Sequence, residues 1–334
     1  MSVLIQGQVR VANSDPLLDV RNLTIKFRVG GQFLPAVERC SFSIQPGEVL
    51  GLVGESGSGK SATAMALLGL QPESAQVEGE VRFSGQNILT LPGDQMTALR
   101  GRRISMIFQD PMSSLNPVLT IGQQISETLR AHFDMSRRDA WTRSKHLLDL
   151  VRVPGAAGRL QAYPHELSGG LRQRVMIAMA LACEPELLLA DEPTTALDVT
   201  VQAQILDLLL DLRDETNLSI LLITHDLGVI ANFADRVAVM YCGRVMEAAS
   251  VGDFFDAPSH PYAEALIRSI PGGSSQERLE AIPGTVPKLT DLPRGCRFAT
   301  RCLRYRAACS EDLPELREIS PGHSTACFRA FDNA

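Results

Sequence analysis

The residues best suited to chemistry form a glycine-rich stretch between a predicted strand and a predicted helix. They fit the pattern G-x-x-x-x-G-K-[ST], and in order they are Gly54, Glu55, Ser56, Gly57, Ser58, Gly59, Lys60 and Ser61. Glycines let successive backbone N–H groups turn towards phosphate oxygens at the positive end of the following helix. Lys60 supplies a charge to the β- and γ-phosphates, and the Ser61 hydroxyl offers a ligand to Mg²⁺. The loop, with Ala62 behind it, is therefore predicted to bind ATP together with Mg²⁺.

A second candidate is the acidic pair Asp191 and Glu192, which ends the apolar run 187–190. Proteins with α/β sheets place their ligands at the carboxyl ends of strands. Asp191 is predicted to hold Mg²⁺ through its water shell, and Glu192 to polarise the attacking water. Since an acidic pair is also a common way to end a strand, this interpretation depends on the phosphate-binding loop.

A third motif, residues 167–173, reads Leu-Ser-Gly-Gly-Leu-Arg-Gln. Ser168, Gly169 and Gly170 precede a predicted helix, so they form either a second anion-binding helix N-terminus or a plain serine cap. The motif resembles the LSGGQ-like signature of the nucleotide-binding subunits of ABC transporters. In that family two ATPase domains dimerise head to tail, and each signature covers the ATP on the other domain's phosphate loop. The resemblance implies that Ser168, Gly169, Gly170 and Gln173 contact ATP.

Further positions match landmarks of the same family. Gln109 resembles the glutamine that contacts Mg²⁺ and water and senses the membrane partner, and His225 resembles the switch histidine at the γ-phosphate. Asp198, in Ala196-Leu197-Asp198, resembles the D-loop that crosses the dimer interface. Phe27 is the candidate for stacking on adenine, and it is equally consistent with a core residue of a strand. The resemblance implies ATP hydrolysis, with the catalytic residues Glu192, His225, Gln109 and Lys60.

An alternation of strands and helices must position these groups. Buried-strand runs at 49–53, 187–190 and 220–224 are each followed by a helical pattern, which predicts a parallel sheet covered by helices. Together with the resemblance, which spans about residues 17–250, this predicts an α/β fold: a P-loop NTPase with a RecA-like core, an N-terminal antiparallel β portion, a helical subdomain and a small cysteine-rich C-terminal module. The predicted domains are an ATPase domain over 17–254, with its helical subdomain at about 115–182, and the C-terminal module over 255–334.

Several stretches resemble the D-type ATPase subunits of oligopeptide and dipeptide importers: residues 108–117, 191–200, 260–262 and 282–284. This resemblance implies a second, F-type ATPase subunit in a head-to-tail dimer, two transmembrane permease subunits and, indirectly, an external peptide-binding protein. Importers of nickel, glutathione and antimicrobial peptides share the branch, so the cargo stays open. The rival classes are a soluble ABC protein of DNA repair or the ribosome and an exporter ATPase.

Four of the seven cysteines crowd the C-terminal region: Cys296, Cys302, Cys309 and Cys327. Four thiolates suit zinc or an iron–sulfur cluster. The C-x₂₋₄-C pairs of structural zinc sites are missing, and the spacing alone is equally consistent with a cluster, zinc or unliganded thiols. D-type subunits carry a [4Fe–4S] cluster on a similar tail, so the resemblance implies that cluster here, in a structural or regulatory role.

Composition narrows the choice of partners and place. A net charge of −6 argues against a nucleic-acid binder, which usually has a basic face. The sequence contains neither a secretory signal nor an apolar stretch near the ~20 residues that cross a bilayer as a helix. We therefore expect a peripheral protein on the cytoplasmic face of the inner membrane, held there by its partners.

Overall fold

Two β-sheets and the helices that connect their strands make up the fold. It is known from a computed structural model, which describes residues 15–110, 114–195, 197–270 and 282–331. In these residues the strands are β1 (Leu18–Val29), β2 (Gln32–Ile44), β3 (Val49–Val53), β4 (Gln76–Phe83), β5 (Gln86–Asn87), β6 (Ile104–Ile107), β7 (Leu187–Asp191), β8 (Ser219–Thr224), β9 (Arg236–Tyr241), β10 (Arg244–Ser250), β11 (Arg317–Ser320) and β12 (His323–Thr325). The helices are α1 (Lys60–Leu67), α2 (Gly93–Leu99), α3 (Ile121–His132), α4 (Arg137–Leu150), α5 (Ala156–Arg159), α6 (Gly169–Ala180), α7 (Val199–Thr216), α8 (Leu227–Phe233), α9 (Val251–Asp256), α10 (Pro261–Arg268) and α11 (Ala308–Glu311).

The larger sheet has the strand order β11-β12-β10-β9-β3-β8-β7-β6. Its strands β9, β3, β8, β7 and β6 run parallel, whereas β10, β12 and β11 continue it in antiparallel pairs. Every residue of β3, β7 and β8 is buried, as expected of parallel strands covered on both faces. Alternate residues pack into two cores: Leu188 and Leu222 into one, Leu189 and Leu221 into the other. The predicted α/β core is confirmed.

The smaller sheet, β2-β1-β4-β5, lies at the N-terminal end of the chain and is antiparallel throughout. Leu18 of β1 pairs with Ile44 of β2 on one side and with Phe83 of β4 on the other. These three side chains are buried in the core beside α1. One face of the smaller sheet packs on this helix, which also covers the larger sheet. The predicted antiparallel portion is confirmed.

Helices α3 to α6 occupy most of the stretch predicted to be helical. Thr120 and Gln123 form a reciprocal capping box at the start of α3, and Ser136 caps α4. Pro154 falls between α4 and α5, and Pro164 begins a short 3-10 turn before α6, so both prolines interrupt the helical run.

The described C-terminal strands join the larger sheet and do not form a separate one. Strand β12 pairs with β10, so Glu247 lies opposite Thr325, and β11 pairs with β12. The domain boundary predicted near residue 255 stays a prediction. The larger sheet contains strands from both sides of this boundary. Among the described residues, no helix has the length and hydrophobicity needed to cross a bilayer.

Candidate nucleotide-binding site

The glycine-rich loop joins β3 to α1, as predicted, and two of its glycines are required by close packing. A Cβ atom on Gly54 would lie 2.0 Å from the carbonyl oxygen of Met240 at the end of β9. Gly59, with φ +102°, caps α1, and a Cβ there would lie 2.9 Å from the carbonyl oxygen of Ala36. Side chains at either position would push the loop off the strands that support it.

Lys60, at the start of α1, is buried inside the curl of the loop. Its Nζ donates to the carbonyl oxygens of Gly54 at 2.8 Å and Glu55 at 3.1 Å. Burial lowers the pKa of Lys60, and the carboxylates of Glu192 and Asp191 partly oppose that effect. The ammonium group therefore lies between the loop and the acidic pair, where it can act on a bound phosphate.

Asp191 ends β7 and is buried. Burial raises the pKa of its carboxyl group, while the neighbouring Ser61 hydroxyl acts in the opposite direction. Within the described part of the chain, Asp191 Oδ1 has no hydrogen-bond partner. A buried carboxylate oxygen without a donor costs free energy unless a cation or water satisfies it. Because Mg²⁺ prefers carboxylate, hydroxyl and water oxygens, Asp191 and Ser61 fit a magnesium site.

Glu192 is the centre of a hydrogen-bond network. Its Oε2 accepts from Gln109 Nε2 at 2.9 Å and from Thr195 Oγ1 at 2.8 Å, and its Oε1 lies 3.1 Å from His225 Nδ1. Burial raises the pKa of this carboxyl group, but the hydrogen bonds from Thr195, His225 and Gln109 outweigh burial and lower it overall. Glu192 also has a φ of +47°, a strained backbone state that proteins keep mainly at functional sites.

The motif at 167–173 places an exposed serine at the N-terminus of α6. Ser168 Oγ accepts a hydrogen bond from the Leu171 backbone N–H at 3.4 Å. Asp198 caps α7 in the same way, accepting from the Val201 N–H at 2.9 Å, and a Cβ on Gly170 would lie 2.7 Å from a methyl of Val201. The serine-glycine motif and the Asp198 segment are thus neighbours on the surface.

Some predicted positions are buried or half-buried, and others lie outside the described residues. Gln173 is buried within α6, so it does not share the exposure of Ser168. Phe27 is half-buried on β1, opposite Leu34 of β2, and packs against the core, so adenine stacking stays a prediction. Ala196 and residues 111–113 lie outside the described residues.

The four C-terminal cysteines come together although they are far apart in sequence. Cys296, Cys302, Cys309 and Cys327 all line one cavity, and the Cys296 N–H donates to the Cys309 carbonyl at 2.8 Å. Burial, together with the smaller effect of the neighbouring thiols, raises the pKa of Cys296 to about 12. No group of three or more His, Cys, Asp or Glu side chains in the described ranges is arranged to hold a metal ion. Four cysteine thiols are thus suitable ligands for an iron–sulfur cluster, but in the described ranges they are not arranged to bind a metal ion.

Residues that sequence reasoning missed also contact the site. Thr195 closely follows the acidic pair Asp191 and Glu192. Its hydroxyl, three residues after Glu192, could have been predicted from the sequence as a hydrogen-bond donor to that carboxylate. Tyr262 and Arg301 contact the phosphate-binding loop from the C-terminal region. Tyr262 lies in the stretch 260–262 that resembles D-type subunits, but no pattern indicates that either residue contacts the loop.

Comparisons with known proteins identify the family to which the chain belongs. A family model described as ABC transporter matches residues 37–195, and one described as the C-terminal region of oligopeptide/dipeptide transporters matches residues 246–309. A probable peptide ABC transporter ATP-binding protein of Sinorhizobium fredii is 52% identical, covering 95% of this chain and 96% of that protein. The oligopeptide transport ATP-binding protein OppD of Escherichia coli K12 is 48% identical over 99% of both chains.

Solved structures give the same result for the ATPase portion. The ATP-binding cassette MJ0796, a dimer in a post-hydrolysis state with ADP and Pi, has a TM-score of 0.63 and 30% identity, covering 70% of this chain and 98% of that one. The structure of cbiO1 from Clostridium perfringens, part of an ABC transporter complex, has a TM-score of 0.63 and 26% identity, covering 73% and 92%. The chain therefore belongs to the ABC transporter family, as one of its ATP-binding and ATP-hydrolysing proteins.

Proposed function

We propose that this protein powers the import of di- and oligopeptides by hydrolysing ATP. The observation that carries the proposal is similarity along the whole chain to oligopeptide transport ATP-binding proteins, including the match of residues 246–309 to their C-terminal region. That region lies outside the part shared with ATP-binding cassettes in general, so it favours the peptide-importer branch over an exporter or a soluble ABC protein.

The described geometry supports a division of labour among the site residues. Lys60 and the loop N–H groups bind the β- and γ-phosphates. On binding, the Lys60 ammonium group exchanges its hydrogen bonds to the loop carbonyls for contacts with phosphate oxygens. Glu192 is ionised at neutral pH and orients the attacking water, since three neighbours hold its carboxylate in place. Gln109 and His225 position Glu192 through their hydrogen bonds, and His225 would also face the γ-phosphate of bound ATP.

The site also contains candidate ligands for Mg²⁺. Asp191 Oδ1 and the Ser61 hydroxyl would hold the ion, with Gln109 as a further ligand, and the ion would neutralise charge on the phosphates. Asp191, with its pKa raised by burial, would become fully ionised once a cation is bound beside it.

We propose that two ATPase subunits form a head-to-tail dimer. Ser168, Gly169 and Gly170 of one subunit would cover the ATP held by its partner, because a helix N-terminus stabilises anions. The exposure of Ser168 and Gly169, beside the likewise exposed Asp198, supports an interface at this surface. Gln173 would support the signature from within α6. The partner is expected to be an F-type ATPase subunit, and the pair would dock on two permease subunits at the cytoplasmic face of the inner membrane, with an external binding protein delivering the peptide.

We also propose that Cys296, Cys302, Cys309 and Cys327 hold a [4Fe–4S] cluster. The convergence of the four thiols on one cavity supports this, because thiolates are the usual ligands of such clusters. The cluster would stabilise the C-terminal region and take no part in hydrolysis.

Uptake measurements would identify the cargo. A strain lacking this chain, with and without a plasmid copy, is given a labelled tripeptide, Ni²⁺ or glutathione. Peptide uptake that returns only with the plasmid supports the proposal. Restored uptake of Ni²⁺ or glutathione, with peptide uptake unchanged, would assign the chain to a related importer.

A further inference from the structure

The second residue of the phosphate-binding loop is held by an arginine from the C-terminal region. Arg301 is only 5% exposed, and its Nη1 lies 3.0 Å from both carboxylate oxygens of Glu55. The same nitrogen donates to the Tyr241 hydroxyl at 3.2 Å, and Arg301 Nε donates to the Pro283 carbonyl at 2.9 Å. The guanidinium is therefore fixed on the side of the loop by several bonds at once.

A tyrosine holds the backbone of the same loop residue. The Glu55 N–H donates to the Tyr262 hydroxyl at 3.0 Å. Tyr262 is fully buried and packs against Tyr241, with ring centroids 4.6 Å apart, and against Phe298, at 5.2 Å. Such a packed aromatic cluster leaves the hydroxyl little freedom, so both the N–H and the carboxylate of Glu55 have fixed partners.

The charge of Glu55 matters for the nucleotide. Its carboxylate is close enough to raise the pKa of the buried Lys60, against the larger effect of burial. An unneutralised carboxylate there would compete with phosphate for the lysine and repel the phosphates directly. Since this region is partly buried, solvent screens such repulsion only weakly.

We propose that Arg301 and Tyr262 are positioning residues for ATP binding. Arg301 neutralises Glu55, and Tyr262 fixes its backbone, so the phosphate-binding loop keeps its shape and its positive potential only while the C-terminal region is folded against it. Arg301 ends the 3-10 turn Ala299–Arg301 and directly precedes Cys302, so the conformation of the four-cysteine region determines where the guanidinium lies. The inference rests on the phosphate-binding role proposed for the loop.

Affinity for a fluorescent ATP analogue, measured on the full chain, tests this. Arg301→Met is expected to weaken binding about tenfold, since it leaves a charged group unpaired in a partly buried place. The matched control is Arg304→Met, because Arg304 pairs with Glu264 on the surface of the same region. That variant is expected to change affinity less than twofold.

A charge rescue separates positioning from a general loss of structure. Glu55→Gln in the Arg301→Met background removes the unpaired carboxylate, so affinity is expected to return to within about threefold of wild type. Unchanged affinity of Arg301→Met, or no recovery in the double variant, would overturn the proposal.

Two further variants keep the test decisive. Tyr262→Phe removes one oxygen from a packed ring and is expected to weaken binding about threefold; if Arg301→Met fails to fold, unchanged affinity of Tyr262→Phe overturns the proposal. Lys60→Ala tests the loop itself. If Lys60→Ala leaves binding intact, the proposed role of the loop fails; if it abolishes binding while Arg301→Met has no effect, only the present inference fails.

Discussion

Gln109 Nε2 donates a hydrogen bond of 2.9 Å to Glu192 Oε2, although the two residues are 83 positions apart. Gln109 follows β6 and Glu192 follows β7, which are neighbouring parallel strands, so both side chains emerge at the same edge of the sheet. The contact joins the residue predicted to sense the membrane partner to the residue predicted to orient water. A movement of the segment after β6 would therefore act on the Glu192 carboxylate through this hydrogen bond.

The first prediction concerns Glu192. Glu192→Gln keeps the size of the side chain, and its amide oxygen can still accept from Gln109 and Thr195, but the variant removes the charge that orients water. We expect ATP binding to persist while turnover falls at least ~100-fold, the usual contribution of a positioned base. Phosphate release and gel filtration with ATP would measure this, and the variant should accumulate as an ATP-bound dimer. Undiminished hydrolysis would remove Glu192 from the proposed role.

The second prediction concerns the pH dependence of stability around Asp191. Its pKa is raised in the folded protein, so ionisation destabilises the fold as the pH rises through that raised value. Without Mg²⁺, Asp191→Asn should be more stable than wild type at pH 7 by about 1 kcal/mol, the scale of a buried unsatisfied oxygen. The advantage should vanish below about pH 4, where the unfolded carboxyl is protonated as well.

Adding Mg²⁺ provides a control for the comparison of the wild type with Asp191→Asn. Thermal unfolding with ATP should show Mg²⁺-dependent stabilisation of the wild type, which Asp191→Asn should lack, because the variant loses a charged ligand. Equal stabilisation of both proteins by Mg²⁺ would contradict the assignment of Asp191.

The third prediction concerns the joint between the core sheet and the C-terminal region. Glu247 of β10 is fully buried and accepts hydrogen bonds from the Ser259 N–H at 2.9 Å, the His260 N–H at 2.7 Å and His323 Nε2 at 2.8 Å. Glu247→Ala leaves these donors unpaired, so denaturant unfolding should show a loss of about 3 kcal/mol. Glu80→Gln, which breaks an exposed pair with Arg82, should leave stability unchanged. A similar effect of both variants would contradict this account.

The fourth prediction concerns the cysteines. Protein purified without oxygen should contain about four iron and four acid-labile sulfide per chain, with a visible absorption band. Cys302→Ser should lose both, while Cys40→Ser, at a buried position in β2, should keep them. Zinc alone, or no metal, would leave the ATPase assignment intact and remove the cluster from the proposal.

The phosphate-binding loop and the acidic pair could be predicted because the residues of each lie close together in the sequence. A strand, a glycine turn and a helix bring Gly54 to Ser61 together within a few residues, and a buried strand delivers Asp191 and Glu192 to the same sheet edge. Gln109 and His225 required the family resemblance, since a single glutamine or histidine has no distinctive pattern. Thr195 was not predicted, although its hydroxyl lies only three residues after Glu192, and the structure shows its contact with that carboxylate.

The C-terminal contacts could not be predicted in the same way. Arg301 and Glu55 are 246 positions apart, and nothing around either residue marks it as a partner of the other. The pairing of β12 with β10 was equally hidden, because a three-residue strand such as His323–Thr325 has too little periodicity to stand out from a loop. Tertiary packing alone determines these contacts.

Peptide uptake driven by this chain's own ATP site tests the central claim most directly. A strain lacking the chain is complemented with wild type or with Glu192→Gln, and uptake of a labelled tripeptide is followed while the level of each protein at the membrane is checked. We predict that wild type restores uptake and that Glu192→Gln, at equal level, does not. Equal uptake with both proteins, or none with either, would contradict the account.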